Sequence, residues 1–205
     1  MIVVLDYGMG NVGSILNMLK KIGVSAKSAL DTDMIDQADK LILPGVGAFD
    51  KGMELLISKG FDEAIKRNVL EKGKPILGIC LGMQMLGRKS EEGEKPGLDL
   101  IPFDNVKFHF NSSNCLKIPH MGWNYVDICN SNSPLLRGIE TKQRYYFVHT
   151  YHAECDKREN VLMESYYGYP FTAAVHDRNI YGTQFHPEKS HNFGMKLLLN
   201  FAKEC

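Results

Sequence analysis

A cysteine stands in the middle of a glycine-flanked turn, Gly78-Ile79-Cys80-Leu81-Gly82, which follows an apolar run and precedes a helical pattern. This arrangement is the thiol counterpart of the Gly-x-Ser-x-Gly nucleophile elbow, in which a sharp strand-to-helix turn exposes the nucleophile. Free N–H groups at the start of the following helix would favour the thiolate and stabilise an oxyanion beside it. Cysteine is also among the most buried residue types, so the turn alone fits a packed core thiol equally well.

A base for that thiol is offered by the segment Gln184-Phe185-His186-Pro187-Glu188, at the end of the last strand-like stretch. Residues two apart in an extended chain face the same side, so the Glu188 carboxylate would hold the His186 imidazole in one tautomer. The second ring nitrogen then remains for the proton of Cys80. A His-Pro-Glu triplet by itself is more often a surface loop with a solvated charge. Together with the glycine-flanked cysteine it predicts a triad of Cys80, His186 and Glu188.

A second loop, Pro44-Gly45-Val46-Gly47, also joins a strand-like run to a helical pattern. Its glycines would let a backbone N–H turn toward a reacting carbonyl, and with the N–H of Leu81 it would form an oxyanion hole of two donors. Loss of one such donor typically costs about 3 to 4 kcal/mol of transition-state stabilisation. A simple tight turn also explains this loop when it is taken alone. Gly8-Met9-Gly10 lacks the third glycine of a dinucleotide fingerprint and is interpreted as a close-packing turn.

The elements that must position these residues alternate between strand and helix in the first half of the chain. Apolar runs at 1–6, 40–43 and 75–79 are typical of strands buried on both faces, and each precedes a helical pattern. Beyond about residue 89, strand-like segments follow one another with little helix between them, at 106–110, 125–128, 144–151, 161–166, 172–176 and 179–185. A final helix is predicted over 192–203. The predicted fold class is therefore α/β, with an open, largely parallel central sheet flanked by helices and an antiparallel extension in the second half.

Composition favours a single globular domain over residues 1–205, with 44% hydrophobic and 23% charged residues. The 24 basic residues balance the 24 acidic ones, so no nucleic-acid partner is expected. No apolar stretch approaches the roughly 18 residues of a membrane span, so we expect a cytoplasmic protein without membrane contact. The five cysteines show no paired spacing, and His149 and His152 would face opposite sides of one strand. We therefore expect no metal and no other cofactor.

Six segments, in order along the whole chain, together resemble the class I (triad) glutamine amidotransferases. They are LPGVGAF, PILGICLGMQML, KIPHMGWN, YYFVHTY, YGTQFHPEKS and GMKLLLNF. PHMGWN and YFVHTY narrow the resemblance to glutaminase subunits that supply ammonia to a synthase (cyclase) subunit in histidine biosynthesis. The resemblance implies that Cys80 attacks the side-chain amide of L-glutamine, His186 moves the protons and Glu188 orients His186. Glutamate and ammonia would be the products.

The resemblance also implies roles for residues outside the triad. Gly47, Gln84 and Thr150 would line the glutamine pocket, and Val46 and Leu81 would supply the N–H groups of the oxyanion hole. The surface expected to dock on the synthase consists of Met121, Trp123, Asn124, Tyr146 and Lys189. Trp123, the only tryptophan, would also suit a core position, but its turn-like setting between Gly122 and Asn124 favours the interface.

The sequence does not decide which of two partners receives the ammonia. The favoured one is the cyclase subunit, in a heterodimer. The alternative is a sugar amidotransferase of surface polysaccharide biosynthesis, for which HNFGMKLLLNF and YGYPF give some indication. Both interpretations keep the same active-site residues. A third hypothesis is a noncatalytic binding subunit, and the intact set of Cys80, His186 and Glu188 argues against it.

Overall fold

The computed structural model describes residues 1–110 and 116–205. Within these residues one mixed sheet contains twelve strands. The strands are β1 (Ile2–Leu5), β2 (Ala26–Ala29), β3 (Lys40–Gly45), β4 (Ile76–Cys80), β5 (Lys89–Ser90), β6 (Phe103–Lys107), β7 (His120–Ile128), β8 (Gln143–His149), β9 (Tyr151–Cys155), β10 (Val161–Tyr166), β11 (Pro170–Asp177) and β12 (Ile180–Thr183). The helices are α1 (Val12–Lys21), α2 (Thr32–Gln37), α3 (Phe49–Ser58), α4 (Phe61–Lys66), α5 (Leu81–Met85) and α6 (His191–Lys203), and a π-helical turn spans Arg67–Glu71.

The order of the strands divides the sheet into a parallel and an antiparallel half. β2, β1, β3, β4 and β12 are neighbours in that order and pair in parallel. β12 then pairs antiparallel with β11, and the antiparallel order continues through β10, β7 and β8. The predicted fold class is confirmed. β12 joins the two halves, because it pairs with β11 of the antiparallel half on one side and with β4, the strand that ends in Cys80, on the other.

Helices cover both faces of the parallel half, as the unbroken apolar strands predict. Alternate residues of β1 enter two separate cores, Val3 and Leu5 on one side and Ile2 and Val4 on the other. The first core is closed by α3, α4 and α5, and the second by α1 and α6. No helix in the described residues is long and apolar enough to cross a bilayer.

Five sequence-based strand assignments need correction. The two-residue strand β5 was not predicted, and the strand predicted over 125–128 begins earlier, at His120. β2 was missed because it is an edge strand, Ala-Lys-Ser-Ala, with only its last residue buried. The strand predicted over 106–110 lies at Phe103–Lys107. The segment predicted as one strand over 144–151 is two strands, since the chain bends at Thr150 between β8 and β9.

The bend at Thr150 also overturns the expectation that His149 and His152 face opposite sides. Both rings pack on Phe108, with ring centroids 5.2 and 4.7 Å from it. The alternation of side chains in an extended strand does not continue through a bend. His149 and His152 therefore belong to one buried aromatic cluster.

Two glycines permit the close approach of α5 to the sheet. A Cβ atom on Gly82 would lie 1.8 Å from the carbonyl oxygen of Leu43 in β3, and one on Gly78 would lie 2.7 Å from the carbonyl oxygen of Gly82. Larger residues at positions 78 and 82 are therefore excluded, as the turn sequence predicts. Gly10 is similar, because its Cβ would lie 2.9 Å from the side chain of Pro44, which agrees with a close-packing turn.

We predict that Gly82→Ala destabilises the protein by about 3 kcal/mol, because the added methyl group overlaps backbone that cannot move away without distorting β3. Gly13→Ala is the matched control, since Gly13 lies exposed on α1 with nothing within 4 Å of its Cβ position. The control is expected to gain up to about 1 kcal/mol from helix propensity. Urea unfolding of both variants measures the difference, and equal stability of the two would contradict the prediction.

Candidate active site

Cys80 occupies a strained backbone position at the junction of β4 and α5. Its φ of 55° and ψ of −110° lie in a region that non-glycine residues rarely adopt. Such strain costs about 1 to 3 kcal/mol and persists only where the surrounding packing enforces it. Here α5 starts at the next residue, Leu81, and turns the chain sharply away from the strand. This is the elbow geometry predicted from the flanking glycines.

His186 reaches Cys80 through the pairing of β12 with β4. Thr183 is the register partner of Ile79, and three residues later the N–H of His186 donates to the carbonyl of Tyr146 at 2.9 Å. His186 Nδ1 lies 2.7 Å from Glu188 Oε1, and both side chains are 1% exposed. His186 Nε2 is buried and makes no hydrogen bond within the described residues. The carboxylate thus fixes one ring nitrogen and leaves the other free for chemistry.

Electrostatics at His186 favour its protonated form. Burial alone would lower the pKa of His186, but Cys80 and Glu188 beside the ring outweigh burial and raise the pKa to about 9. The imidazole therefore carries a proton at neutral pH. A protonated imidazole beside a sulfur atom is the arrangement that supports a thiolate nucleophile and later supplies a proton to a leaving group.

Cys80 and His186 open into one cavity of about 280 Å³. Every residue predicted for the oxyanion hole and the glutamine pocket also lines it, namely Val46, Gly47, Leu81, Gln84 and Thr150. The register partner of Cys80 on β3 is Gly45, which explains why the 44–47 loop lies at the same edge of the sheet. The remaining lining residues are Glu92, Pro119, Val148, His149 and Tyr151.

Among the residues that line the cavity, Glu92 is the acidic one. No sequence pattern distinguishes it. It lies in a charged, glycine-rich segment where neighbouring Glu91 and Glu94 look the same. One of its carboxylate oxygens accepts the N–H of Phe49 at the start of α3, at 2.8 Å. This bond fixes the carboxylate at the rim of the cavity.

The amide of Gln84 is buried in the wall of the cavity that holds Cys80. Its Nε2 donates to the carbonyl of Tyr151 and to Gln184 Oε1, both at 3.1 Å, and Gln184 Nε2 lies 3.7 Å from Cys80 Sγ. Because the amide nitrogen of Gln84 makes both of its hydrogen bonds within the chain, only its oxygen remains to bind a ligand, as an acceptor.

The residues predicted to dock on a partner lie mainly at the surface. Met121 is 62% and Trp123 42% exposed, so the alternative of Trp123 as a core anchor is wrong. The turn-like setting expected for Trp123 is also wrong, because Trp123 lies within β7 and is paired with β8. Tyr146 is the cross-strand partner of Trp123, and Lys189 Nζ lies 5.8 Å from the centre of the Tyr146 ring. Asn124 is half-buried, and its amide hydrogen-bonds within the chain.

Comparison with known proteins assigns the family. The family model "Glutamine amidotransferase class-I" matches residues 3–205. The chain belongs to the class I glutamine amidotransferases. This amidotransferase is 50% identical over 203 residues to a Pseudomonas aeruginosa protein named imidazole glycerol phosphate synthase subunit HisH 2, covering 99% of each chain. It is 51% identical over 205 residues to a Methanococcus maripaludis protein of the same name, covering 100% of each.

Solved structures support the same fold for the amidotransferase. A structure of PurLQS from Thermotoga maritima matches with a TM-score of 0.75 at 22% identity, over 98% of this chain and 96% of the other. A crystal structure of another glutamine amidotransferase matches with a TM-score of 0.75 at 18% identity, over 98% and 96% of the two chains. The central sheet and its helices are therefore those of this family.

We predict that an NMR titration of the His186 imidazole has a midpoint near pH 9, and that Glu188→Gln lowers this midpoint by roughly one to three pH units because the carboxylate charge is lost. The folded pKa exceeds the unfolded value near 6.5, so the stabilisation by this proton is complete below about pH 6.5 and is lost as the pH rises through about 9. Glu159→Gln, at an exposed carboxylate, is the control and should leave the midpoint unchanged. An unchanged midpoint in Glu188→Gln would refute this account of the raised pKa.

Proposed function

We propose that this chain is the glutaminase subunit of an imidazole glycerol phosphate synthase, which hydrolyses L-glutamine to glutamate and passes the ammonia to a cyclase subunit. The observation that carries the proposal is the cavity in which Cys80 faces the buried His186–Glu188 pair. Relatives that carry the synthase-subunit name and match over the full length at about half identity support the choice of partner. A single glutaminase domain over residues 1–205 is part of the proposal, and the one sheet shared by both halves supports it.

In the proposed reaction the Cys80 thiolate attacks the side-chain amide carbon of glutamine. The N–H groups of Val46 and Leu81 stabilise the oxygen of the tetrahedral intermediate. His186 Nε2 gives its proton to the leaving nitrogen, so that ammonia departs and a glutamyl thioester remains. His186 then takes a proton from water as the water attacks the thioester. Glutamate leaves, its carboxyl proton passes to solvent, and the Cys80 thiolate and protonated His186 are regenerated. Glu188 keeps the imidazole ring oriented throughout.

The lining of the cavity suits the amino-acid end of glutamine. The carboxylate of Glu92 offers a counter-charge for the α-ammonium group, and the side-chain oxygen of Gln84, another residue of the cavity lining, offers an acceptor. Gly47, with a φ of 103°, brings backbone rather than side chain to the cavity wall, and Thr150 supplies a hydroxyl from the bend between β8 and β9. A neutral amide without an α-amino acid group would lose the charged contact, so glutamine is favoured over simple amides.

The proposed docking surface for the cyclase consists of Met121, Trp123, Asn124, Tyr146 and Lys189. Exposed Met121 and Trp123 are the residue types that anchor protein interfaces. Lys189 follows Glu188 by one residue, so this surface lies directly beside the triad. Ammonia formed at Cys80 therefore has a short route to a partner bound there.

We predict that Cys80→Ala lowers the glutamine-dependent activity of the reconstituted complex by roughly 10⁴-fold or more, because no other nucleophile replaces the thiol. The cyclase should keep its activity with added ammonium salts. Cys129→Ala, at a cysteine that donates to the carbonyl of Asp127 outside the cavity, is the matched control and should retain both activities. Glutamate release measures the first reaction, and retention of it by Cys80→Ala would exclude Cys80 as the nucleophile.

We predict that Trp123→Ala weakens cyclase binding about 30-fold, equivalent to about 2 kcal/mol, as expected for an interface anchor. Leu70→Ala removes a similarly exposed apolar side chain near the opposite end of β4 and should leave the dissociation constant unchanged. Calorimetric titration with the cyclase, and in parallel with a sugar amidotransferase, measures both affinities. Binding and ammonia transfer to the sugar enzyme alone would contradict the cyclase assignment while leaving the glutaminase assignment intact.

A further inference from the structure

Two buried histidines connect a surface groove beside Trp123 with the cavity that holds Cys80. His120, at the start of β7, lines the groove, whereas His149, at the end of β8, lines the cavity. They are cross-strand partners in the β7–β8 register, and His120 Nδ1 lies 2.9 Å from His149 Nε2. Neither ring takes part in the hydrolysis described above.

The hydrogen-bond partners of the two outer ring nitrogens, His149 Nδ1 and His120 Nε2, decide which nitrogens of the pair carry protons. A carbonyl oxygen only accepts, so His149 Nδ1 donates to the carbonyl of Tyr151 at 2.8 Å, and His149 Nε2 is left as an acceptor. Asn124 Nδ2 donates to the carbonyl of Tyr166 at 2.9 Å, which orients the amide, and the same nitrogen lies 3.2 Å from His120 Nε2. His120 Nε2 is therefore an acceptor. The proton between the two rings is on His120 Nδ1.

Burial keeps both rings neutral. It lowers the pKa of His120 to about 4 and the pKa of His149 well below its ordinary value. The ring of His120 lies between those of Phe147 and Tyr167, with centroids 4.9 and 4.2 Å away. A neutral imidazole has one donor and one acceptor, so the hydrogen bonds run in a single direction from Asn124 through His120 to His149.

The chain of hydrogen bonds ends at the groups that surround the nucleophile. The carbonyl of Tyr151 accepts from His149 and also from Gln84 Nε2. Gln84 in turn donates to Gln184, whose Nε2 lies 3.7 Å from Cys80 Sγ. Thr150 lies between His149 and Tyr151, at the bend that forms the wall of the cavity.

We propose that His120 on β7 and His149 on β8 are positioning residues, which hold Thr150 and the Gln84 amide in place in the wall of the glutamine pocket. The inference rests on the proposed function, because it takes this cavity to be the glutamine site. Asn124, predicted as a contact to the synthase, acts through His120, since its amide is hydrogen-bonded inside the chain. Met121 and Trp123 of the proposed docking surface lie on the same strand as His120.

Two substitutions separate the two hydrogen bonds of His120. His120→Asn places an amide nitrogen near the position of Nδ1 and keeps the donor toward His149. His120→Gln places its amide near the position of Nε2, keeps an acceptor toward Asn124 and loses the donor toward His149. Only the second variant leaves the buried His149 Nε2 without a partner.

The kinetic test measures glutamine hydrolysis by the complex with the cyclase. His120→Gln should raise the KM for glutamine about tenfold with kcat changed by less than about threefold, and His120→Asn should stay within about twofold of the unmodified protein in both. Alkylation of Cys80 by iodoacetamide, at equal rates in both variants, confirms that the elbow is intact. Equal KM values for the two variants would overturn the proposal.

A second test needs neither glutamine nor the partner. In ¹⁵N-resolved NMR spectra of the full chain at pH 7, the rings of His120 and His149 should both be neutral with the proton on Nδ1. An Nε2–H tautomer or an imidazolium at either position would overturn the proposal. If the unmodified protein shows these tautomers but releases no glutamate from glutamine, the proposed function fails and the hydrogen-bond chain stands, so the two failures are distinguishable.

Discussion

The active site depends on one close backbone contact, the approach of α5 to β3 at Gly82 and Gly45. A Cβ on Gly82 would collide with the carbonyl of Leu43, and a Cβ on Gly45 would lie 2.7 Å from the nitrogen of Gly82. Because both residues lack a side chain, the helix starts directly beneath the neighbouring strand, and the chain must turn sharply at Cys80. The unfavourable φ of Cys80 is the consequence of this contact. The same contact brings the 44–47 loop to the first turn of α5, where the two proposed oxyanion donors lie.

Four buried imidazoles are held in different charge states by their neighbours. His120, His149 and His152 are all buried, and burial lowers their pKa values, to about 4 for His120 and His152. His186 is equally buried, yet its pKa is raised to about 9 because Cys80 and a carboxylate face its ring. Burial disfavours charge, and only a fixed counter-charge reverses that preference. The fold thus keeps one protonated imidazole beside Cys80 and three neutral ones around Phe108, of which His149 lines the cavity.

The two halves of the sheet contribute different parts of the site, and β12 joins them. The parallel half supplies Cys80 and the proposed oxyanion loop at the carboxyl ends of its strands, where α/β proteins commonly bind ligands. The antiparallel half supplies the cavity wall at Thr150 and most of the proposed docking surface. β8 serves both purposes, because Tyr145 and Phe147 point into the core while Tyr146, between them, is half-exposed beside Trp123. A substitution of an exposed residue on β8 therefore lies next in sequence to residues that pack in the core.

Features with local causes could be predicted from the amino-acid order alone. Glycines on both sides of Cys80 predict the elbow, the spacing of His186 and Glu188 predicts their hydrogen bond, and apolar runs predict the buried strands, such as 75–79 for the observed Ile76–Cys80. Sequence patterns missed β2, because this edge strand has no apolar run. They also did not identify Glu92 and His149 as residues of the cavity wall. The folded chain was needed to show which distant segments meet at Cys80 and which imidazoles carry charge. Strand register and burial are set by the whole sheet, so no local pattern encodes them.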